Sequence, residues 1–262
     1  MADTMQQRSN LDLCIIASEH DLPRLENTLR FIPKVDNIYI LENKKSENGE
    51  ESLELVHSTG TIHHYRWNWT GEFFHFGNAR NKVFSLSSNE WIFWLDCDDS
   101  LHPADCEWIN SNLPNFDSNI GAVMFGCSGL AHFEDCSLAD LKDVPGMSVD
   151  NWGYWSTPTV RLLRREITKW TGRVHEQVLD SIQRAGYGLM ISDIMVKHRG
   201  YVTKLDTYIS KMERNKKLLE MELEESSEYD EIYMEYLHNT SNSLEGLIQL
   251  RDKKQKETSS PA

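Results

Sequence analysis

The sequence predicts an α/β protein: a mostly parallel sheet flanked by helices, followed by a C-terminal helical appendage. Three observations carry this. Residues 11–41 read as strand, helix, strand, the unit that makes a parallel pair with a right-handed crossover. The run Trp91–Leu95 is apolar without alternation, as in a parallel strand covered on both faces. After Tyr201 the strand-like runs stop and helical periodicity takes over.

The elements follow in order. "LDLCIIA" (11–17) has strand length. "DLPRLENTLRFI" (21–32) has helical spacing at Leu22, Leu25, Leu29 and Ile32, with Asp21 as N-cap and Pro23 in the first turn. "VDNIYIL" (35–41) is the second strand and "TIHHYRW" (61–67) a third. "GNARNKVFSLS" (77–87) is expected to be helical and leads into "WIFWL" (91–95). A helix is expected from Pro103. "IGAVMFGCS" (120–128), "TPTVRLLR" (157–164) and "LMISDIMVKH" (189–198) read as further strands. Between them lies "GMSVDNWGYWSTP" (146–158), a loop of the kind that builds sites on α/β sheets. Trp152, Trp155 and Trp170 are candidates for an apolar wall against a sugar or base.

Leu205, Ile209, Met212, Leu219 and Leu223 fall near one face of a long helix over 205–226. A second helix is expected over 229–252, broken near Asn239. The expected organisation is a flexible N-terminus (1–10), an α/β domain (11–202), a helical appendage (203–252) and a disordered tail (253–262).

Composition narrows the class. At 262 residues, with 39% hydrophobic and 10% aromatic content, the chain can bury a full core. Acidic residues outnumber basic ones 41 to 27, a net charge of −14, which disfavours sequence-blind binding to nucleic acid or anionic membrane. The five cysteines are odd in number and contain no CxxC pair, so a disulfide framework or zinc knuckle is not expected. No secretory signal and no membrane-length apolar run is visible, and a cytoplasmic protein is the expectation.

"LDCDDS" (95–100) carries the chemistry. Asp96, Asp98 and Asp99 sit at the carboxyl end of a buried strand, the end at which open parallel sheets bind ligands. On an extended segment Asp96 and Asp98 point the same way. Two such carboxylates suit Mg²⁺ or Mn²⁺, which take oxygen ligands and keep positions open for phosphates. The alternative is an acidic turn capping the helix that begins near Pro103.

"HFGNARNKVFSLSSNEWIFWLDCDD" resembles the segment "ARN…G-W-hydrophobics-LDADE" of family 2 glycosyltransferases, which have the GT-A fold. "DLCIIASEHDLPRLENTLRFI" is similar to that family's first strand, acidic turn and helix. "RLLRREITKWTGRVHEQV" (161–178) is similar to its "RLFR…W.G.VHE" block, and "VKHRGY" (196–201) to its "I.H.GY" block. "RNKKLLEMELEES" (214–226) resembles the helix that follows the catalytic domain in the branch carrying tetratricopeptide-like helices. The resemblance spans about residues 11–226 and implies a GT-A-type, Rossmann-like sheet.

The resemblance also implies roles. Asp98 becomes the principal ligand of a metal that bridges the donor's diphosphate. Asp96 faces the ribose or shares the metal, Cys97 lies between them at the nucleotide, and Asp99 is a further ligand or, by preference, a helix cap. His198 becomes a metal ligand, as a neutral imidazole beside carboxylates can. Arg80 lies close to the nucleotide, and Ala17, Ser18 and Glu19 line the nucleoside pocket. Glu42 stands where the family has an Asp that contacts the nucleoside, so base recognition is expected to differ. Glu176 is the general base that takes the acceptor's proton, with His175 orienting it, binding acceptor or helping the metal.

The implied activity is metal-dependent, inverting transfer of a sugar from a nucleotide-sugar, a UDP-sugar in the first place, to an acceptor hydroxyl on a sugar, lipid, peptide or modified base. A nucleotidyltransferase of related fold and an inactive nucleotide-sugar-binding scaffold are the alternatives. "ASEHDLP" has no glycine where a nucleotidyltransferase carries a Gly-rich loop. Association through the C-terminal helices completes the expectation.

Overall fold

The structure, a computed structural model, describes residues 9–129, 132–141, 144, 155–167, 169–199, 202–225 and 230–259. The chain divides into two compact units. The first comprises Met1–Cys127, Thr157–Gly172 and Glu176–His198; the second comprises Ser128–Ser156, Arg173–His175 and Arg199–Ala262. The second unit thus takes in residues 128–156 as well as the chain from Arg199 onward.

The α/β expectation is met. The main sheet comprises β1 (Leu11–Ser18), β2 (Asn37–Lys45), β3 (Ser52–Thr59), β4 (Ile62–Trp69), β5 (Trp91–Asp96), β6 (Asp99–Ser100), β7 (Ile120–Gly129), β9 (Trp155–Arg164) and β10 (Gly188–His198), nearly all of it in the first unit. They form a mixed nine-stranded sheet in the order β3-β4-β2-β1-β5-β9-β7-β10-β6. Its centre, β4-β2-β1-β5, is parallel. The pairs β3–β4, β5–β9 and β6–β10 are antiparallel.

Both faces of this centre are covered, which explains the lack of alternation in β1 and β5. One face packs Leu13, Ile15, Phe93 and Leu95 against α1 (Leu25–Leu29) and α3 (Pro103–Asn112). The other packs Cys14, Ile92 and Trp94 against α2 (Phe76–Phe84) and α5 (Leu179–Arg184). At the amino end, the buried Asp12 carboxylate accepts from the Ser87 hydroxyl, the Ser88 and Asn89 amides, and the Asn37 and Asn89 side chains. That hub fixes the register of β1, β2 and β5, and hence where their carboxyl ends lie.

Local expectations needed correction. The helix expected over 21–32 is a 3₁₀ turn (Leu22–Arg24) followed by a five-residue α1. Asp21 makes no side-chain cap bond; it accepts instead from the Ser18 hydroxyl at 2.6 Å. β3 was not anticipated, because all its residues are exposed and carry no burial pattern.

The second unit holds β8 (His132–Phe133) and β11 (Val202–Thr203) in a parallel pair, α4 (Leu138–Leu141), α6 (Leu205–Glu225) and α7 (Asp230–Ser259). Phe133, Leu141, Leu205, Ile209, Leu244 and Leu247 form its core. α7 shows no break near Asn239. It runs on through residues 253–259, expected as tail, because Lys, Gln and Glu there are straight-chain helix formers.

Candidate active site

The site lies at the carboxyl ends of the central strands. The register Ile16↔Asp96 sets the end of β5 beside the end of β1. The chain then turns at Cys97–Asp98 and enters β6, whose Asp99 pairs with His198 at the end of β10. The expected extended stretch with Asp96 and Asp98 on one side is therefore a turn. What gathers the acids is the folding back of β6 onto β10.

Asp96, Asp99 and His198 each bring a ligand atom within 4.8 Å of the others'. His198 Nδ1 hydrogen-bonds Asp99 Oδ1 at 2.9 Å, and Asp98 Oδ1 stands 3.2 Å from the same nitrogen. Arg24 adds an ion pair to Asp98 at 3.7 Å. Asp99 is not a cap of α3. That role falls to His102, whose Nδ1 accepts from the Ala104 amide.

Two buried arginines balance the acids. Arg80, on α2, donates from Nε to Glu176 Oε1 at 2.5 Å and from Nη2 to Asp96 Oδ1 at 3.4 Å. Arg161, on β9, lies 2.8 Å from Asp99 and 3.9 Å from Asp96. Both guanidinium groups lie over Trp94, at 3.4 and 3.8 Å from its ring centroid. Arg161 was missed in the sequence. The available signal was a lone charge at an inward position of an apolar strand, which has to be paired.

Burial works against the charge on Asp96, but Arg80, Arg161 and His198 outweigh it and hold the carboxyl below its ordinary range. Burial likewise opposes the charge on His198. The Asp99 hydrogen bond and the charges of Asp99, Asp98 and Asp96 prevail, so its pKa is raised. Metal uptake needs a ring nitrogen of His198 without its proton, so metal and proton compete for the ring. The donor set itself, carboxylate oxygens with one imidazole, fits Mn²⁺ or Mg²⁺.

Glu176 is positioned by a tight loop. Thr171 and Gln177 exchange both backbone hydrogen bonds at 2.9 Å. Gly172 takes a φ of 91°, and its carbonyl accepts from the Gly77 amide at the start of α2. A Cβ at Gly77 would meet that carbonyl at 2.7 Å, so the close approach needs glycine there. Glu176 lies ahead of α5, not in its first turn.

Other expected residues have different surroundings. Glu42 is buried, with Arg66 at 3.2 Å and His64 at 3.1 Å from its carboxylate oxygens. Ala17 and Cys97 are buried, and burial, with the Asp21 and Asp98 charges, pushes the Cys97 thiol far up. Glu19 is exposed. Trp170 is not a wall facing ligand: it is buried, edge-on to Phe84 and Trp94. Trp152 lies outside the described residues, as does the side chain of Trp155, which begins β9. His175 belongs to the second unit. Its ring is stacked on Tyr236 at 4.2 Å.

No protein-family model matches the chain, and no curated protein matches it. Among solved structures it is similar to the mannosyltransferase PcManGT from Pyrobaculum calidifontis in complex with GDP-Man and Mn²⁺. The identity is 11% and the TM-score 0.46, over 98% of this chain and 77% of that one. It is also similar to S. aureus TarS 1-349, at 8% identity and a TM-score of 0.42, over 89% of this chain and 71% of that one. Among the described residues, no helix is long and apolar enough to cross a membrane.

Proposed function

We propose that the chain is a metal-dependent inverting glycosyltransferase of GT-A type that takes its sugar from a nucleotide-sugar, a UDP-sugar in the first place. One observation carries the reading. A single guanidinium, Arg80, binds both Asp96 of the acid cluster and Glu176 of the 171–177 loop. The candidate metal acids and the candidate base thereby share one site, at the carboxyl ends where parallel strands receive ligands.

Asp96, Asp98 and His198 would hold the ion, which supplies positive charge against the leaving diphosphate when bound. Glu176, fixed through Oε1, takes the proton of the acceptor hydroxyl as its oxygen attacks the anomeric carbon. The bond from that carbon to the phosphate oxygen breaks, and its electron pair leaves with the nucleoside diphosphate. Attack opposite the leaving group inverts the anomeric centre. Arg80 keeps the base from drifting, and Trp94 backs its guanidinium at 3.4 Å.

Turnover of UDP-, GDP-, TDP- and CMP-sugars with Mn²⁺ or with chelator tests the reading. Mn²⁺-dependent release of the leaving nucleotide, with sugar passed to water or acceptor, is expected. Release of pyrophosphate would instead indicate a nucleotidyltransferase. Metal-dependent nucleotide binding without turnover, whatever the acceptor, would indicate a scaffold.

A further inference from the structure

We propose that Asp99 is a positioning residue: clamped by Arg161, its carboxylate fixes the His198 ring instead of joining the ligand shell of the metal. This rests on the metal reading above and gives Asp99 a task distinct from those of Asp96 and Asp98.

Distance alone would admit Asp99 as a ligand, since it lies within the 4.8 Å cluster. Three observations separate it from its neighbours. Its side chain is 0% exposed, against 13% for Asp98 and 32% for Asp96. Both its oxygens are engaged: Oδ2 accepts from the Asp96 amide at 2.8 Å and pairs with Arg161 Nη1 at 2.8 Å, while Oδ1 meets His198 Nδ1 at 2.9 Å. Arg161 cannot follow a moving carboxylate. It is buried, stacked on Trp94, and its Nη2 donates to Cys127 Sγ at 3.5 Å.

Giving Oδ1 to a metal would break its bond to His198 Nδ1, and giving Oδ2 would leave Arg161 with Asp96 as counter-charge only at 3.9 Å, which is strongly disfavoured for a buried guanidinium. The backbone pairing of Asp99 with His198 holds the two side chains face to face. An imidazole whose ring nitrogen is bonded to a fixed carboxylate is held in one rotation and one tautomer, and its basicity as a ligand rises. Arg161 thus acts on the metal at two removes, through Asp99 and then His198.

The test is a coupling cycle on the purified full chain, with Mn²⁺ as the probe and the free ion followed by electron paramagnetic resonance. The double variant Arg161→Met/Asp99→Asn removes the pair together and leaves no lone buried charge. It is compared with His198→Ala and with the triple variant. The pair variant and His198→Ala should each weaken Mn²⁺ binding by about ten- to a hundredfold. The triple variant should bind no more weakly than His198→Ala, because Asp99 acts only through that ring. Losses that multiply in the triple variant, or a pair variant that binds like the wild type, would overturn the proposal. If the pair variant fails to fold, as judged by circular dichroism, Arg161→Lys enters the same cycle with the same expectation. A wild type that binds no Mn²⁺ would overturn the metal reading itself, a distinct outcome from multiplying losses.

Discussion

Glu176→Gln separates a catalytic from a structural carboxylate, and the structure sets both magnitudes. The change keeps shape but removes the charge from the 2.5 Å contact with Arg80 Nε. Losing a charge-assisted partner for a hydrogen bond costs about 1.5–3 kcal/mol. The lower half of that range is expected, because Arg80 retains Asp96 and its stack on Trp94. In a domain of this size that is a fall in melting temperature of about 3–8 °C. A base that can no longer take a proton lowers turnover by about a hundred- to ten-thousandfold. Melting and sugar transfer should therefore be measured on the same preparation, well below the transition. A folded Glu176→Gln protein that transfers sugar within a fewfold of wild type would refute the assignment, and the destabilisation alone would not rescue it.

Other outcomes follow from the same geometry. Asp98→Ala should raise the Mn²⁺ concentration needed for half-maximal turnover by more than the roughly ten- to hundredfold that losing a supporting partner costs, which a metal titration of the rate would read. Trp170→Ala should cost about 3–5 kcal/mol of stability because the ring is core, and chemical denaturation would show it; a raised donor KM at unchanged stability would restore the wall. Asp140 is held down to about 2 by the Ser137 amide and hydroxyl and by Lys254. A carboxyl with a depressed folded pKa stabilises above its unfolded value, so the advantage of wild type over Asp140→Asn should shrink as pH falls from about 4 to about 2 in an acid-unfolding series. Limited proteolysis should spare Lys211 and Lys216, since α6 buries Ile209, Leu218 and Leu219 in its packing.

The parts of the fold legible in the sequence are those whose burial leaves a pattern. β1, β2 and β5 were evident because both faces of the sheet are covered there. β3 was not: an edge strand of exposed residues pairs through its backbone, which no side-chain periodicity reports. The short α1 looked longer because its apolar spacing persists to Ile32, although Pro33 then stops it. At the site, Asp96, Asp98, His198, Arg80 and Glu176 do converge in the first unit. Arg161 escaped notice because its partners are distant in sequence, and Asp99 was misassigned because helix capping is a local expectation and its real partners are Arg161 and His198. Trp170 misled for a related reason: a tryptophan beside a loop suggests a ligand wall, whereas this one is buried against Phe84 and Trp94.

The most direct test of the account is calorimetry of UDP and GDP titrated into the protein with Mn²⁺, with Mg²⁺ and with chelator. The account predicts that at least one nucleotide binds with metal present and that chelator abolishes the heat. Equal affinity with chelator, or no binding of either nucleotide with either metal to a folded protein, would contradict it.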